Sequence, residues 1–363
     1  MGAVSADLPR CDVIVVGAGV AGLTAAAALG RAGATVMVFE ARDRVGGRAH
    51  SVRAATGTID LGVSRFRPDE LFTRALSHEL GVRTFTEPLH GDALLEPTHA
   101  GPHRVDADRR GQPSYRFAQG AQDLTQRLAD QLACGTLRLS DPVSSISVTP
   151  DGVRVDARST RLLTDHVIVA VPPALAMEQI AFSPGLPGTV RAAAEATAVS
   201  THAVVTAVAV YEDAFWRRER LADAAASDTG PFRELLDQSG PDAVPAALCG
   251  VAAAKDLAGV DLRGAQARFV EQLTRLFGPE AARPAEVHVV DWSGEQYTSP
   301  RAPVSPASLA SDDLAALRQA VYDRVHFAST ETASTHAGRL EGAVRAGKEA
   351  MRRVLEQRLV RAR

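Results

Sequence analysis

The stretch Asp12-Val13-Ile14-Val15-Val16-Gly17-Ala18-Gly19-Val20-Ala21-Gly22 decides the fold. Val13 to Val16 form an uninterrupted β-branched run, apolar on both faces, as expected of a strand inside a parallel sheet covered by helices. An alanine-rich run then reads as a helix to about Arg31, with Gly33 as its stop, and Thr35-Val36-Met37-Val38-Phe39 reads as a second buried strand. Strand, glycine turn, helix and strand make one βαβ unit. The spacing Gly17-x-Gly19-x-x-Gly22, with Glu40 closing the second strand, is the dinucleotide-binding pattern in the context it requires. Gly17 and Gly19 permit the tight turn and let backbone N–H groups approach a pyrophosphate, and Gly22 lets the helix pack on the strand. The positive end of the helix dipole faces the anion. Glu40 would accept hydrogen bonds from an adenosine ribose and repel a 2'-phosphate.

Working outward, the 363 residues favour two domains at about 150 residues each. The 40 basic and 43 acidic residues leave a charge of -3 with no long block of either sign, so neither nucleic acid nor an anionic membrane is an expected partner. Only Lys255 and Lys348 are available for chemistry that needs a lysine. Cys11, Cys134 and Cys249 are far apart and form no C-x-x-C pair, which argues for a reducing cytoplasm and against a disulfide framework or a zinc site. His78, His90, His99, His103 and His288 share no ligand spacing, so no metal is expected. The apolar run from Val13 to Leu29 is punctuated by glycines and bounded by Asp12 and Arg31, which fits strand, turn and helix rather than a signal peptide or membrane span. The chain has no G-x-S-x-G elbow, P-loop or H-E-x-x-H, and this excludes hydrolase, NTPase and zincin readings.

Further along, Leu71, Phe72, Ala75, Leu76 and Leu80 predict a helix over 69–80 with a buried stripe, and Leu124, Leu128 and Leu132 predict another. Strands are expected at 143–148, 153–157, 167–171, 203–211, 287–290 and 325–328, and helices at 265–277 and from about Gly338. A proline-rich loop is expected over 299–306, and residues 217–264 show too little periodicity to be organised.

The segment Glu40-Ala41-Arg42-Asp43-Arg44-Val45-Gly46-Gly47-Arg48 resembles the extended signature of the flavin-containing amine oxidase superfamily. Other pieces match in the family's order. These are Ile59-Asp60-Leu61-Gly62, Gly120-Ala121-Gln122-Asp123-Leu124, Val171-Pro172-Pro173, Asp291-Trp292, Phe327 to Ala333, and Gly338-Arg339-Leu340-Glu341-Gly342-Ala343. The resemblance implies an α/β fold, with a Rossmann-type, glutathione-reductase-like FAD-binding domain and an inserted α+β substrate domain. The expected partition is 8–66, 117–185 and 290–363 for FAD, and 67–116 and 186–289 for substrate. FAD contacts are implied at Gly17, Gly19, Gly22, Glu40, Arg42, Gly46, Gly47, Arg48, Gly62, Ser64, Val143, Thr330, Glu331 and Leu340. In the family the glycine pair and arginine lie along the pyrophosphate, where a guanidinium can bind two oxygens. The last helix aims its N-terminus at the flavin pyrimidine ring, where N–H groups stabilise charge that develops on reduction.

Departures from the monoamine oxidases are informative as well. Their flavin-bearing cysteine has no counterpart in Tyr297-Thr298-Ser299-Pro300-Arg301, which implies noncovalent FAD. Their flavin-side lysine falls on Thr206, ahead of Phe215-Trp216, and their two cage tyrosines fall near Ala302 and on Arg339. Leu61-Gly62-Val63-Ser64-Arg65-Phe66 instead resembles the L-G-x-x-R-[FY] segment of L-amino-acid oxidases, including L-tryptophan oxidases. There the arginine holds the substrate carboxylate with two parallel donors. The local alternative for Arg65 is a surface pair with Asp69 or Glu70. His336 could tune amine protonation or be structural, and Arg339 could touch substrate or solvent. The resemblance therefore implies oxidation of an L-amino acid or related amine to the imine by hydride transfer to flavin N5, with O2 returning as H2O2. Two alternatives stay open: a biosynthetic oxidase, cyclase or desaturase acting on a bulky or carrier-bound amine, and a flavin-binding protein without catalysis. The stretch between Gly62 and Gly120 is short for the family, so the pocket is expected to be more open, or completed by the second chain of a homodimer.

Overall fold

The computed structural model describes residues 8–87, 91–106, 114–199, 203–301 and 313–361; His90 and Ala302 lie outside them. The early strands are β1 (Arg10–Val16), β2 (Val36–Phe39), β3 (Ser51–Ala54), β4 (Gly57–Asp60), β5 (Arg65–Phe66), β6 (Thr84–Thr86), β7 (Asp92–Glu96), β8 (His103–Val105) and β9 (Tyr115–Phe117). Then come β10 (Leu137–Arg138), β11 (Val143–Thr149), β12 (Gly152–Ala157), β13 (Arg161–Val169), β14 (Ala181–Ser183) and β15 (Val204–Tyr211). The last are β16 (Leu221–Ser227), β17 (Phe232–Asp237), β18 (Ala246–Ala253), β19 (Glu286–Asp291) and β20 (Val325–Phe327). The α-helices are α1 (Val20–Arg31), α2 (Leu71–Glu79), α3 (Gln122–Asp130), α4 (Pro173–Gln179), α5 (Gly188–Glu195), α6 (Phe215–Arg218), α7 (Leu262–Phe277) and α8 (Leu340–Arg361).

The chain divides into two compact units, one of 1–47, 124–200 and 296–363 and the other of 48–123 and 201–295. The expected partition broke the chain after 66 and after 185, and the divergence has packing causes. The hairpin β3–β4 buries Ala54, Ile59 and Leu61 with Val208, Val210, Ala247 and Cys249 of the second unit. Leu186, Val190, Ala193 and Ala194 join the core of the first.

In the first unit β2, β1, β13 and β20 run parallel, with Val13 opposite Val36 and His166, and Ile168 opposite His326. β11 and β12 extend the sheet as an antiparallel meander from β13. Val13, Ile14 and Val15 are wholly buried, as their two-faced apolar pattern requires. Each such side chain contributes about 1.5–3 kcal/mol relative to exposure. Helices α1 and α8 pack closely, because a Cβ at Gly347 would come within 2.3 Å of the Ala21 carbonyl oxygen.

In the second unit a seven-stranded sheet runs β19-β15-β18-β17-β16-β7-β8. The stretch that resisted organisation, 217–264, supplies β16, β17 and β18, the middle of this sheet. β18 reads Ala-Ala-Leu-Cys-Gly-Val-Ala-Ala because it is covered on both faces, by α7 on one and by the β3–β4 hairpin on the other. Alternation vanishes in such a strand. Gly250 is needed there, since its Cβ would sit 2.4 Å from the Phe269 ring of α7. A small sheet β5-β9-β6 completes the unit. Helix α2 departs from the expected stripe. It buries Thr73, Leu76 and Ser77 and leaves Leu71 and Phe72 exposed. α3 ends at Asp130, so Leu132 lies beyond it.

Candidate active site

The three glycines of the first turn differ in what demands them. Gly17 has φ +105, and a Cβ on Gly22 would lie 2.0 Å from the Gly17 carbonyl oxygen; both are dictated by the chain's own packing. Gly19 is different. Its backbone is extended, at φ -77 and ψ -179, and a Cβ there would meet only the Gly46 carbonyl oxygen, at 4.0 Å. A Cβ on Gly47 would meet only the Gly19 Cα, at 3.8 Å, although its φ of +56 by itself already favours glycine. The two glycines thus face a space that the protein leaves without side chains. Gly19 is also the N-cap of α1, with no side-chain cap and no acid in the first turn.

Glu40 is buried at the end of β2, where its carboxylate accepts the backbone N–H of Ala18 at 2.8 Å and of Arg42 at 2.9 Å. These two bonds fix the acid beside the turn and leave each oxygen a further lone pair. Gly46 N–H donates to the Ala18 carbonyl at 2.9 Å, tying the second glycine pair to the first turn. Arg42 donates from Nη2 to Thr298 Oγ1 at 2.7 Å and lies over the Tyr297 ring, so the loop after 295 is bound to the end of β2. Val143 opens β11 and is buried.

At the other end of this unit, Thr330 Oγ1 donates to the Arg339 carbonyl at 2.7 Å, and Arg318 Nε donates to the Thr332 carbonyl at 3.0 Å. His336 adopts φ +58, an uncommon conformation for a residue with a side chain. Gly342 permits α8 to begin against this loop, since its Cβ would come 2.3 Å from the His336 carbonyl oxygen. Thr330, Glu331 and Leu340 are buried; His336 and Arg339 are half-buried.

The second unit holds Arg48, Gly62, Ser64, Arg65 and Thr206. Gly62 is required by local packing, its Cβ falling 1.9 Å from the Arg48 carbonyl oxygen, while Trp292 Nε1 donates to the neighbouring Leu61 carbonyl at 3.0 Å. Ser64 is half-buried. Thr206 lies on the face of β15 that carries Val208 and Val210 towards the β3–β4 hairpin. On β18 that face carries Cys249, whose thiol is pushed up to about 12 by burial and senses Arg65, Arg116 and Asp60. Burial also pushes the Asp60 carboxyl up, against hydrogen bonds from Ser51 and the Ala121 N–H.

Arg65 does not pair with Asp69 or Glu70. Its Nη1 donates to Glu87 Oε2 at 3.3 Å, because β5 lies beside β9 and β9 beside β6, and this register brings residues from three strands together. Glu87 and Arg116, which lie beside Arg65, belong to no motif of the sequence. Among the described residues no three His, Cys, Asp or Glu side chains gather as a metal site, and no helix is long and apolar enough to cross a membrane.

The family model described as flavin containing amine oxidoreductase matches residues 20–99 and 89–355. Among curated proteins, amine oxidase [flavin-containing] B of Sus scrofa is 27% identical, over 95% of this chain and 86% of that protein. Among solved structures, cyclohexylamine oxidase from Brevibacterium oxydans IH-35A superposes with a TM-score of 0.87 at 23% identity, covering 97% of this chain and all of that one. Wild-type putrescine oxidase bound to putrescine does so with 0.83 at 21% identity, over 98% and 99% of the two chains. Both solved structures share this chain's fold.

Proposed function

Since this chain belongs to the flavin-containing amine oxidoreductase family, and is therefore an FAD-using oxidoreductase, we propose that it oxidises an L-amino acid or a related carboxylate-bearing amine at Cα. The residues present fit FAD. Gly19 and Gly47 leave a cradle that one Cβ would fill, α1 offers an uncapped N-terminus beside it, and Glu40 is fixed by two backbone bonds with lone pairs to spare for a ribose. Gly17, Gly22, Arg42 and Gly46 shape that cradle, and the start of α8 supplies backbone N–H groups of the kind that stabilise a reduced ring. The cofactor is held without a covalent bond, because the loop Tyr297 to Arg301 contains no cysteine. Bound FAD supplies the two-electron acceptor that makes the amine an imine, with O2 taking the electrons as H2O2.

The observation that carries the substrate reading is Arg65. Its side chain is 29% exposed, and among the described residues its hydrogen bonding is limited to Nη1, which leaves Nε and Nη2 as a parallel pair of donors. Thr206, where the monoamine oxidases carry a lysine, adds no competing charge. In the substrate complex Arg65 binds and orients the α-carboxylate, and so sets the direction of the Cα–H bond. The test is an anaerobic screen in which bleaching of the bound flavin is followed with L-amino acids and with the amines made by their decarboxylation. Faster reduction by the acid of each pair supports the reading, and equal rates overturn it.

A further inference from the structure

Two arginines stand directly opposite one another on neighbouring antiparallel strands, Arg65 on β5 and Arg116 on β9, and Phe85 of β6 continues the row beyond Arg116. Directly opposed residues share a sheet face, and like charges in that relation destabilise the sheet. Glu87, just past β6 and almost wholly buried, resolves the conflict: Oε2 is 3.3 Å from Arg65 Nη1, and Oε1 is 3.8 Å from Arg116 Nε.

The two arginines are not equivalent. Arg116 has both terminal nitrogens committed, Nη1 donating to the Ser239 carbonyl at 2.6 Å and Nη2 to the Gln238 carbonyl at 2.8 Å, its guanidinium lies over the Phe85 ring, and its Nε meets Glu87 only as an ion pair at 3.8 Å. It is buried and cannot turn towards a ligand. Asp237, the other acid near Arg116, is committed to Arg217 and Trp216. Asp60 receives Ser51 and the Ala121 N–H. Asp60 and Glu87 both act on Arg116 electrostatically, whereas Arg65, with a side chain 29% exposed and its hydrogen bond to Glu87 made through Nη1, keeps Nε and Nη2 for a ligand.

We infer that Glu87 is a positioning residue for substrate recognition: by holding Nη1 of Arg65 from a fixed point on Arg116, it presents the Nε–Nη2 edge of Arg65 as the seat of the substrate carboxylate. This rests on the reading that Arg65 binds that carboxylate. A guanidinium held at one corner loses little further freedom when its opposite edge is engaged, so the benefit appears in binding rather than in the chemical step.

The experiment uses the holoenzyme, with the L-amino acid that bleaches the flavin fastest and the amine made by its decarboxylation. E87A should raise KM for the amino acid about tenfold or more, with kcat changed less than about threefold and KM for the amine almost unmoved. In an R65A background E87A should add less than about twofold, because Glu87 acts through Arg65. E87Q keeps the size of the side chain and serves as the deciding variant should E87A fail to fold; it is expected to raise the same KM about threefold or more, since it cannot balance both arginines. Equal effects on acid and amine, or the same KM change with and without Arg65, would show a merely structural role and overturn the inference. If R65A itself leaves the preference for acid over amine intact, the reading of Arg65 fails first, and that outcome is distinct from a failure of Glu87 alone.

Discussion

The carboxylate of Glu40 accepts the backbone N–H of Ala18 at 2.8 Å, so the acid at the end of β2 is joined to the glycine turn at the end of β1. The same carboxylate receives the Arg42 N–H at 2.9 Å. One side chain therefore fixes the two turns that follow β1 and β2.

A Glu40→Gln variant turns one of these acceptors into a donor facing an N–H. With the site buried, the mismatch is expected to destabilise the fold by about 1–3 kcal/mol and to weaken FAD binding about tenfold or more. Urea unfolding and flavin fluorescence on dilution measure the two effects. Unchanged FAD affinity would show that Glu40 serves only the backbone.

Gly19 and Gly22 should part company on substitution. Gly19→Val meets open space and an ordinary backbone, so it should purify without flavin and yet melt close to the flavin-free wild type. Gly22→Ala would drive a Cβ to 2.0 Å from the Gly17 carbonyl oxygen and should lower the stability of the apoprotein itself. Circular dichroism melts beside flavin absorbance separate the cases. A Gly19→Val protein that retains yellow colour would place the pyrophosphate elsewhere.

Much of this was legible because the constraint was local. The βαβ unit, Gly33 and Glu40 each answer to neighbours within a few tens of residues, and the sequence pattern records them. β18 was not legible, since a strand covered on both faces by α7 and a hairpin selects small residues without alternation. The partner of Arg65 was missed for a related reason. Asp69 and Glu70 are near in sequence, but Glu87 arrives through the register of three short strands, which no single stretch encodes. The hairpin β3–β4 likewise follows the glycine signature in sequence yet packs with the second unit, so the compact units divide after Gly47 rather than after residue 66.

Burial, with His166 and Arg353 alongside, lowers the pKa of His326 to about 3. The sign follows from proton counting. Between that value and the ordinary 6.5 the unfolded chain binds a proton that the folded chain refuses, so stability falls as pH is lowered through this window. From pH 7 to pH 5 the loss from this group is about 2 kcal/mol. His326→Gln removes the titration, and urea midpoints for the variant should decline less over the same interval by about that amount. Parallel declines would assign the acid sensitivity to other groups.

Acid precipitation of the holoenzyme should release FAD into the supernatant, because no cysteine lies in the loop Tyr297 to Arg301. Yellow colour retained by the washed pellet would mean a covalent link from another residue.

The most direct measurement of the central claim is the rate of anaerobic flavin reduction by an L-amino acid and by its decarboxylated amine, in the wild type and in Arg65→Ala. Loss of a charged partner in a desolvated site costs about 2–5 kcal/mol, so the variant should lose roughly 30-fold or more in kcat/KM for the acid while keeping its FAD. The account predicts that the wild type prefers the acid strongly and that Arg65→Ala erases most of the preference. Equal rates for acid and amine in the wild type, or a preference that survives the loss of Arg65, would contradict it.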